Sequence, residues 1–256
     1  MDVLNLESVV SAVVLVGVRV SGLMLFAPVF GSEGLPVQLK VALTVAVTAL
    51  LYPVCPLAHL SPAGFGWVSL IGQELGVGLL LGLAVQLVVE AAQMAGHFVG
   101  VQAGYSLVTV LDPQTQADTP VMATLHQLLA LLIFLQLNVH HWLLRGLAAS
   151  FAYCPAGSLF TQRKAAAVLL QQAGGIWLVG LQIAAPAVVA TVLVDLTLGF
   201  LAKASPQLPV LFLGLPIKGA LSLTLLAGSL MLWPGILEPR FAAGVALGER
   251  LLHLAR

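Results

Sequence analysis

Three stretches of this chain, Ala91–Leu111, Pro120–Leu144 and Ala165–Val194, contain no Asp, Glu, Lys or Arg. A helix needs roughly 20 apolar residues to cross the ~30 Å hydrocarbon core of a bilayer, and each of these runs is long enough. Composition sharpens the constraint. The chain is 60% hydrophobic and 8% charged, with a mean hydropathy of +1.06, whereas a soluble domain is about 25% charged. So few charges cannot cover a surface in water. Lipid or other protein must be the solvent for much of this chain.

The charges that remain cancel, ten Lys and Arg against ten Asp and Glu, and nothing indicates a nucleic-acid partner. The start, MDVLNLESVV, carries Asp2 and Glu7 instead of a basic leader region. The first apolar run is therefore expected to be kept and not cleaved. Cys55 and Cys154 match no metal spacing and read as small apolar fillers. No phosphate loop or nucleophile motif is present, so neither an enzyme nor a cofactor is expected.

The organisation is all-α, with about six helical elements of unequal length. Val9–Phe30 is followed by a turn-rich connector, Gly31–Lys40, and a run of only twelve residues, Val41–Tyr52. At 1.5 Å per residue that run gives about 18 Å of helix, too short to cross alone. Pro53–Gly66 is a loop by its prolines and glycines. Trp67–Leu111 is too long for one crossing and predicts a bend or two helices. Ala165–Val194 and Val210–Leu237 flank a polar turn that ends in Ser205–Pro209. The tail Glu238–Arg256 spaces Phe241, Val245, Leu251 and Leu252 as an amphipathic helix lying on a surface. Such unequal lengths predict helical hairpins buried against neighbours, since irregular backbone at membrane depth must be covered by protein or line water.

Gly72–Gly76, Gly78–Gly82 and Gly96–Gly100–Gly104 recur at four-residue spacing. Each bares one helix face, so that another backbone can approach closely. Arg19, Glu74, Glu90 and Asp195 sit within or beside apolar runs. A charge at such a position faces a partner or water, as part of a relay, as a structural ion pair, or in a connector that is not at membrane depth; a relay needs clustered acids, and these four are scattered along the chain. His140 and His141 are adjacent and point about 100° apart on a helix, so they do not chelate one metal. Beside Trp142 they read as a helix end at an interface. Arg145, Arg163, Lys164 and Lys203 mark their connectors as cytoplasmic.

Five phrases in order, RVSGLMLFAPVFG (Arg19–Gly31), GLPVQLKVAL (Gly34–Leu43), GQELGVGLLLG (Gly72–Gly82), AGHFVGVQAGYSLVTVLDP (Ala95–Pro113) and KASPQLPVLFLGLPIK (Lys203–Lys218), resemble the FliR family. These are bacterial flagellar biosynthesis proteins, the R component of the flagellar export gate, with a counterpart in type III secretion. Pro209 stands where the family usually has asparagine.

The resemblance implies a closed helical assembly with P and Q subunits around an export pore. Residues 1–164 would be the P-like part. Residues 165–256 would hold a Q-like hairpin, turning at Lys203–Pro209, and the amphipathic tail helix. It also implies contacts with the export-switch protein and the large export-gate membrane protein, passage of unfolded flagellar substrates, and contact with lipid. The place implied is the bacterial inner membrane, in the flagellar basal body.

The same resemblance assigns a pore plug to Ser106–Pro120. Ser106, Leu107, Val108, Thr109, Val110 and Leu111 would pack against apolar neighbours. Asp112, Pro113, Gln114, Thr115, Gln116, Ala117, Asp118, Thr119 and Pro120 would turn and meet water. On residues alone, this reads first as an ordinary solvent-exposed loop between helices. Lys203 and Gln207 are the residues of the cytoplasmic turn expected to meet the switch protein. The competing functions are a secondary transporter for a small solute, for which Pro186 and Pro216 would break helices at mid-depth, and the equivalent subunit of a virulence-type injectisome.

Overall fold

A computed structural model describes residues 3–31, 34–54, 66–105, 120–154, 164–207 and 209–253 of the chain. Within them every regular element is helical, in agreement with the all-α reading. In chain order they are α1 (Val3–Phe26), α2 (Val37–Leu51), α3 (Gly66–Ala103), α4 (Val121–Gln136), α5 (Val139–Tyr153), α6 (Lys164–Ala204), α7 (Val210–Ser229) and α8 (Trp233–His253). Short 3₁₀ turns occupy Tyr52–Val54 and Leu230–Leu232.

Prolines punctuate these elements. α1 stops two residues before Pro28, and α2 starts directly after Pro36, as proline's steric demand on the preceding residue requires. α2 has 15 residues, about 22 Å; it is short, but it begins at Val37, four residues inside the expected connector. The turn after α1 places Val29 at φ 71°, a region that disfavours a β-branched residue. Its neighbours clasp it: the Gly31 N–H donates to the Ala27 carbonyl at 2.8 Å.

The run from Trp67 does not bend into two helices. It forms one helix, α3, of 38 residues, about 57 Å long. The run contains no proline, so its backbone hydrogen bonds continue without interruption. α3 is about twice as long as a hydrocarbon core is thick. It stops where Gly104 takes φ 86°. The Tyr105 N–H then reaches the Gly100 carbonyl at 2.9 Å and the Gly104 N–H reaches Val101 at 3.2 Å, a complete Schellman cap.

The charge-free run Pro120–Leu144 is divided between two helices. α4 and α5 meet at 66°, with Asn138 at φ 55°, one of the few residue types that visits that region readily. Arg145 lies inside α5 and is exposed, so it is part of a helix and not of a connector. α6 runs 41 residues through Pro186 and α7 runs through Pro216. The turn between α6 and α7 falls where the sequence put it, with the Ser205 N–H closing on the Leu201 carbonyl at 2.8 Å.

By length and composition, four helical segments among the described residues are able to cross a membrane, or five if the bent pair counts as one span. Contacts group the chain into two compact units. One comprises Met1–Leu87, Phe134–Ala173 and Pro239–Arg256; the other comprises Val88–Ile133 and Gly174–Glu238. In the first, Leu15, Leu23, Leu81, Val85, Leu143 and Leu147 are buried, and Phe134 meets Phe241 edge-on at 5.7 Å. In the second, Ala92, Ala95, Ala123 and Ala184 are buried, and the His126 ring lies 5.3 Å from Trp233. The tail helix does not lie free on a surface: Trp233, Leu237, Phe241 and Val245, four residues apart, are buried. A Cβ at Gly244 would come 3.0 Å from the Ala84 carbonyl oxygen.

Candidate functional site

Two of the four charges flagged in apolar runs find each other. Arg19 on α1 and Glu74 on α3 are 0% and 1% exposed, and Arg19 Nε donates to Glu74 Oε2 at 2.6 Å. The remaining guanidinium nitrogens are also used. Nη1 donates to Ser150 Oγ at 2.9 Å and Nη2 to the Cys154 carbonyl at 3.0 Å. The Ser150 hydroxyl in turn donates to the Leu147 carbonyl at 2.6 Å. The Phe151 ring faces the guanidinium, 4.1 Å from its carbon, within cation–π range. Arg19 therefore joins α1, α3 and α5 with each of its three guanidinium nitrogens hydrogen-bonded, as a buried charge requires partners.

Glycines make this reach possible. A Cβ at Gly78 would overlap the Arg19 carbonyl oxygen. At Gly82 it would come 2.8 Å from the Leu23 carbonyl oxygen, and at Gly22, 2.5 Å from that of Leu75. Glu74, Gly78 and Gly82 share one face of α3 by their i, i+4 spacing, as Arg19 and Gly22 share one face of α1. The two backbones touch, and the ion pair closes beside the contact. Gly22 was not singled out in the sequence; its spacing of three from Arg19 is the signal that would have found it. In the other unit, Gly96 and Gly100 sit under α4. A Cβ at Gly96 would overlap the Met122 carbonyl oxygen, and one at Gly100 would lie 3.3 Å from the Met122 Cβ. Gly72 faces open space, Gly76 is half-buried, and Gly104 serves as the helix cap described above instead of a packing surface, because only its positive φ lets α3 stop there.

Asp195 on α6, 46% exposed, pairs with Lys218 of α7, 14% exposed, whose Nζ lies 3.0 Å from both carboxylate oxygens. Gln102 Nε2 of α3 donates to Asp195 Oδ2 at 3.0 Å. Tyr105 Oη donates to the Gly219 carbonyl at 3.1 Å. Glu90 is half-buried in α3. Lys203 and Gln207 are both exposed at the α6–α7 turn. His140 and His141 occupy the first turn of α5, ring centroids 4.2 Å apart. No group of His, Cys, Asp and Glu among the described residues is placed to hold a metal. Ser106–Thr119 and Cys55 lie outside the described residues; Pro120 opens α4.

The outer faces are apolar. Val37 and Leu50 on α2, Phe200 on α6, Phe212 on α7 and Met231 after it are each at least 70% exposed. Soluble monomers do not display such continuous apolar area. These features define a class: a membrane protein of closely packed helices, with buried charge spent on packing and apolar faces left for lipid or for other subunits.

The family described as "Bacterial export proteins, family 1" matches residues 10–244, and the chain belongs to it. Over 218 residues it is 32% identical to the flagellar biosynthetic protein FliR of Bacillus subtilis, covering 84% of each chain. Over 224 residues it is 30% identical to FliR of Escherichia coli, covering 88% of this chain and 86% of that one. It is also 24% identical over 212 residues to the secretion system apparatus protein SsaT of Salmonella typhimurium, covering 80% and 82%.

Proposed function

We propose that this chain is a structural and gating subunit of a flagellar type III protein-export gate in the bacterial inner membrane, at the flagellar basal body. The observation that carries this is the match to the export family along residues 10–244, with its nearly end-to-end similarity to two FliR proteins. The lower identity to SsaT favours the flagellar over the injectisome role. The buried Arg19–Glu74 pair has every guanidinium nitrogen bonded to helix partners, which supports a packing role and not a relay. The exposed apolar faces of α2, α6 and α7 fit cover by P and Q subunits, with residues 1–164 as the P-like part and 165–256 as the Q-like part. The chain performs no chemistry. It holds a pore through which unfolded flagellar substrates pass.

Ser106–Pro120 seals that pore at rest. Deleting Ser106–Thr119 is expected to leave the complex assembled while non-exporting cells leak small ions. An assembled and ion-tight complex lacking the segment rules the seal out. Lys203 and Gln207, exposed at the α6–α7 turn, face the export-switch protein, and the large export-gate membrane protein completes the machine. Lys203→Glu is expected to reduce swimming at an unchanged membrane level of the chain. Full motility of that variant removes the contact.

A further inference from the structure

The end of α3 is held at more points than a helix end needs. Its Schellman cap already satisfies the Gly104 and Tyr105 N–H groups. Gln102 and Tyr105 nevertheless reach out to one patch of the α6–α7 hairpin. Gln102 binds the Asp195 carboxylate on α6, and Tyr105 binds the Gly219 carbonyl, next in sequence to Lys218 on α7. Gly219 leaves room for this approach, since a Cβ there would come 3.2 Å from Tyr105 Oη. An ion pair serving only to join α6 to α7 has no need of either side chain.

We propose that Gln102, Tyr105, Asp195 and Lys218 are positioning residues, forming a polar latch that fixes the C-terminal end of α3 to the α6–α7 hairpin. The functional consequence rests on the sealing role proposed above: the latch sets the point from which residues 106–119 depart. Lys218 holds the Asp195 carboxylate in place, that carboxylate receives Gln102, and Tyr105 binds one residue further along α7. The Gln102 amide both donates and accepts. Exchanging the charges at 195 and 218 therefore keeps the latch, whereas removing one of them does not.

The test uses the full chain in its purified export complex and reads hydrogen–deuterium exchange at the Gly104 and Tyr105 amides. Lys218→Met is expected to raise that exchange about tenfold, the scale of one lost charge-assisted hydrogen bond. Asp195→Lys combined with Lys218→Asp is expected to return it. Tyr105→Phe removes a single hydroxyl and carries the test should Lys218→Met fail to accumulate. Unchanged exchange in both Lys218→Met and Tyr105→Phe overturns the latch. Ion leak in resting cells separates the two levels. Leak that follows exchange across the variants supports the latch and the seal together. Leak on deletion of Ser106–Thr119, with unchanged exchange in the latch variants, overturns the latch alone. Raised exchange in a variant whose cells stay tight supports the latch and overturns its link to the seal, which the deletion of Ser106–Thr119 tests by itself.

Discussion

Cells carrying Glu74→Gln are expected to retain little of this chain in their membranes. The substitution leaves the Arg19 guanidinium fully buried with no anion beside it. Breaking a buried pair by removing one partner costs about 3–5 kcal/mol, a large part of a typical folding free energy of about 5–15 kcal/mol. Arg19→Met is expected to act as strongly, through the buried carboxylate it strands. Replacing both, as Arg19→Met with Glu74→Met, is expected to recover most of the lost protein, because well-packed apolar residues substitute for a buried pair with little net cost. Immunoblots of membrane fractions and thermal unfolding of the purified complex measure this. Normal levels of Glu74→Gln would mean that the pair does not hold α1 to α3. A double variant that accumulates normally yet supports no export would instead reveal a role for these charges beyond packing.

Gly78→Val is expected to separate α1 from α3. The new side chain would begin inside the Arg19 carbonyl, 2.7 Å from the Leu23 nitrogen and 3.0 Å from the Gly22 carbonyl carbon. All three are backbone atoms of α1, so no side chain is able to turn aside, and overpacking of this kind costs about 3 kcal/mol. The same movement carries Arg19 away from Glu74. Gly72→Ala is the control. Nothing lies within 4 Å of its added Cβ, and alanine is expected to stabilise α3 by up to about 1 kcal/mol. Thermal unfolding of the two variants side by side checks the pair. Equal loss at both positions would show that the close crossing of α1 and α3 does not explain the effect.

Several particulars were legible in the residues. The charge-free runs form helices where they are described, the brevity of Val41–Tyr52 matches a short α2, and the polar turn Ser205–Pro209 lies between α6 and α7. Glycine spacing marked the faces that touch at Gly78, Gly82, Gly96 and Gly100. Other features were not legible. The bend at Asn138 follows one apolar residue after α4 and carries no proline or glycine, so hydropathy passed over it. The unbroken α3 is illegible for the opposite reason: at 38 residues it is longer than any bilayer crossing requires. Lys218 was visible as a charge in an apolar run, but its partner lies 23 residues away on another helix. Gln102 and Tyr105 carry no periodic signal at all.

Taken alone, the amino-acid order determined that this chain is helical, oily and poor in reactive groups, because hydropathy and its 3.6-residue period are properties of neighbours in the chain. It also identified which charges had to find partners, because a charge among apolar residues is costly wherever the chain goes. Which partners they found was decided only by the tertiary structure. Arg19 meets Ser150 and Cys154 across more than 130 positions, and no local pattern encodes an encounter created by the packing of three helices.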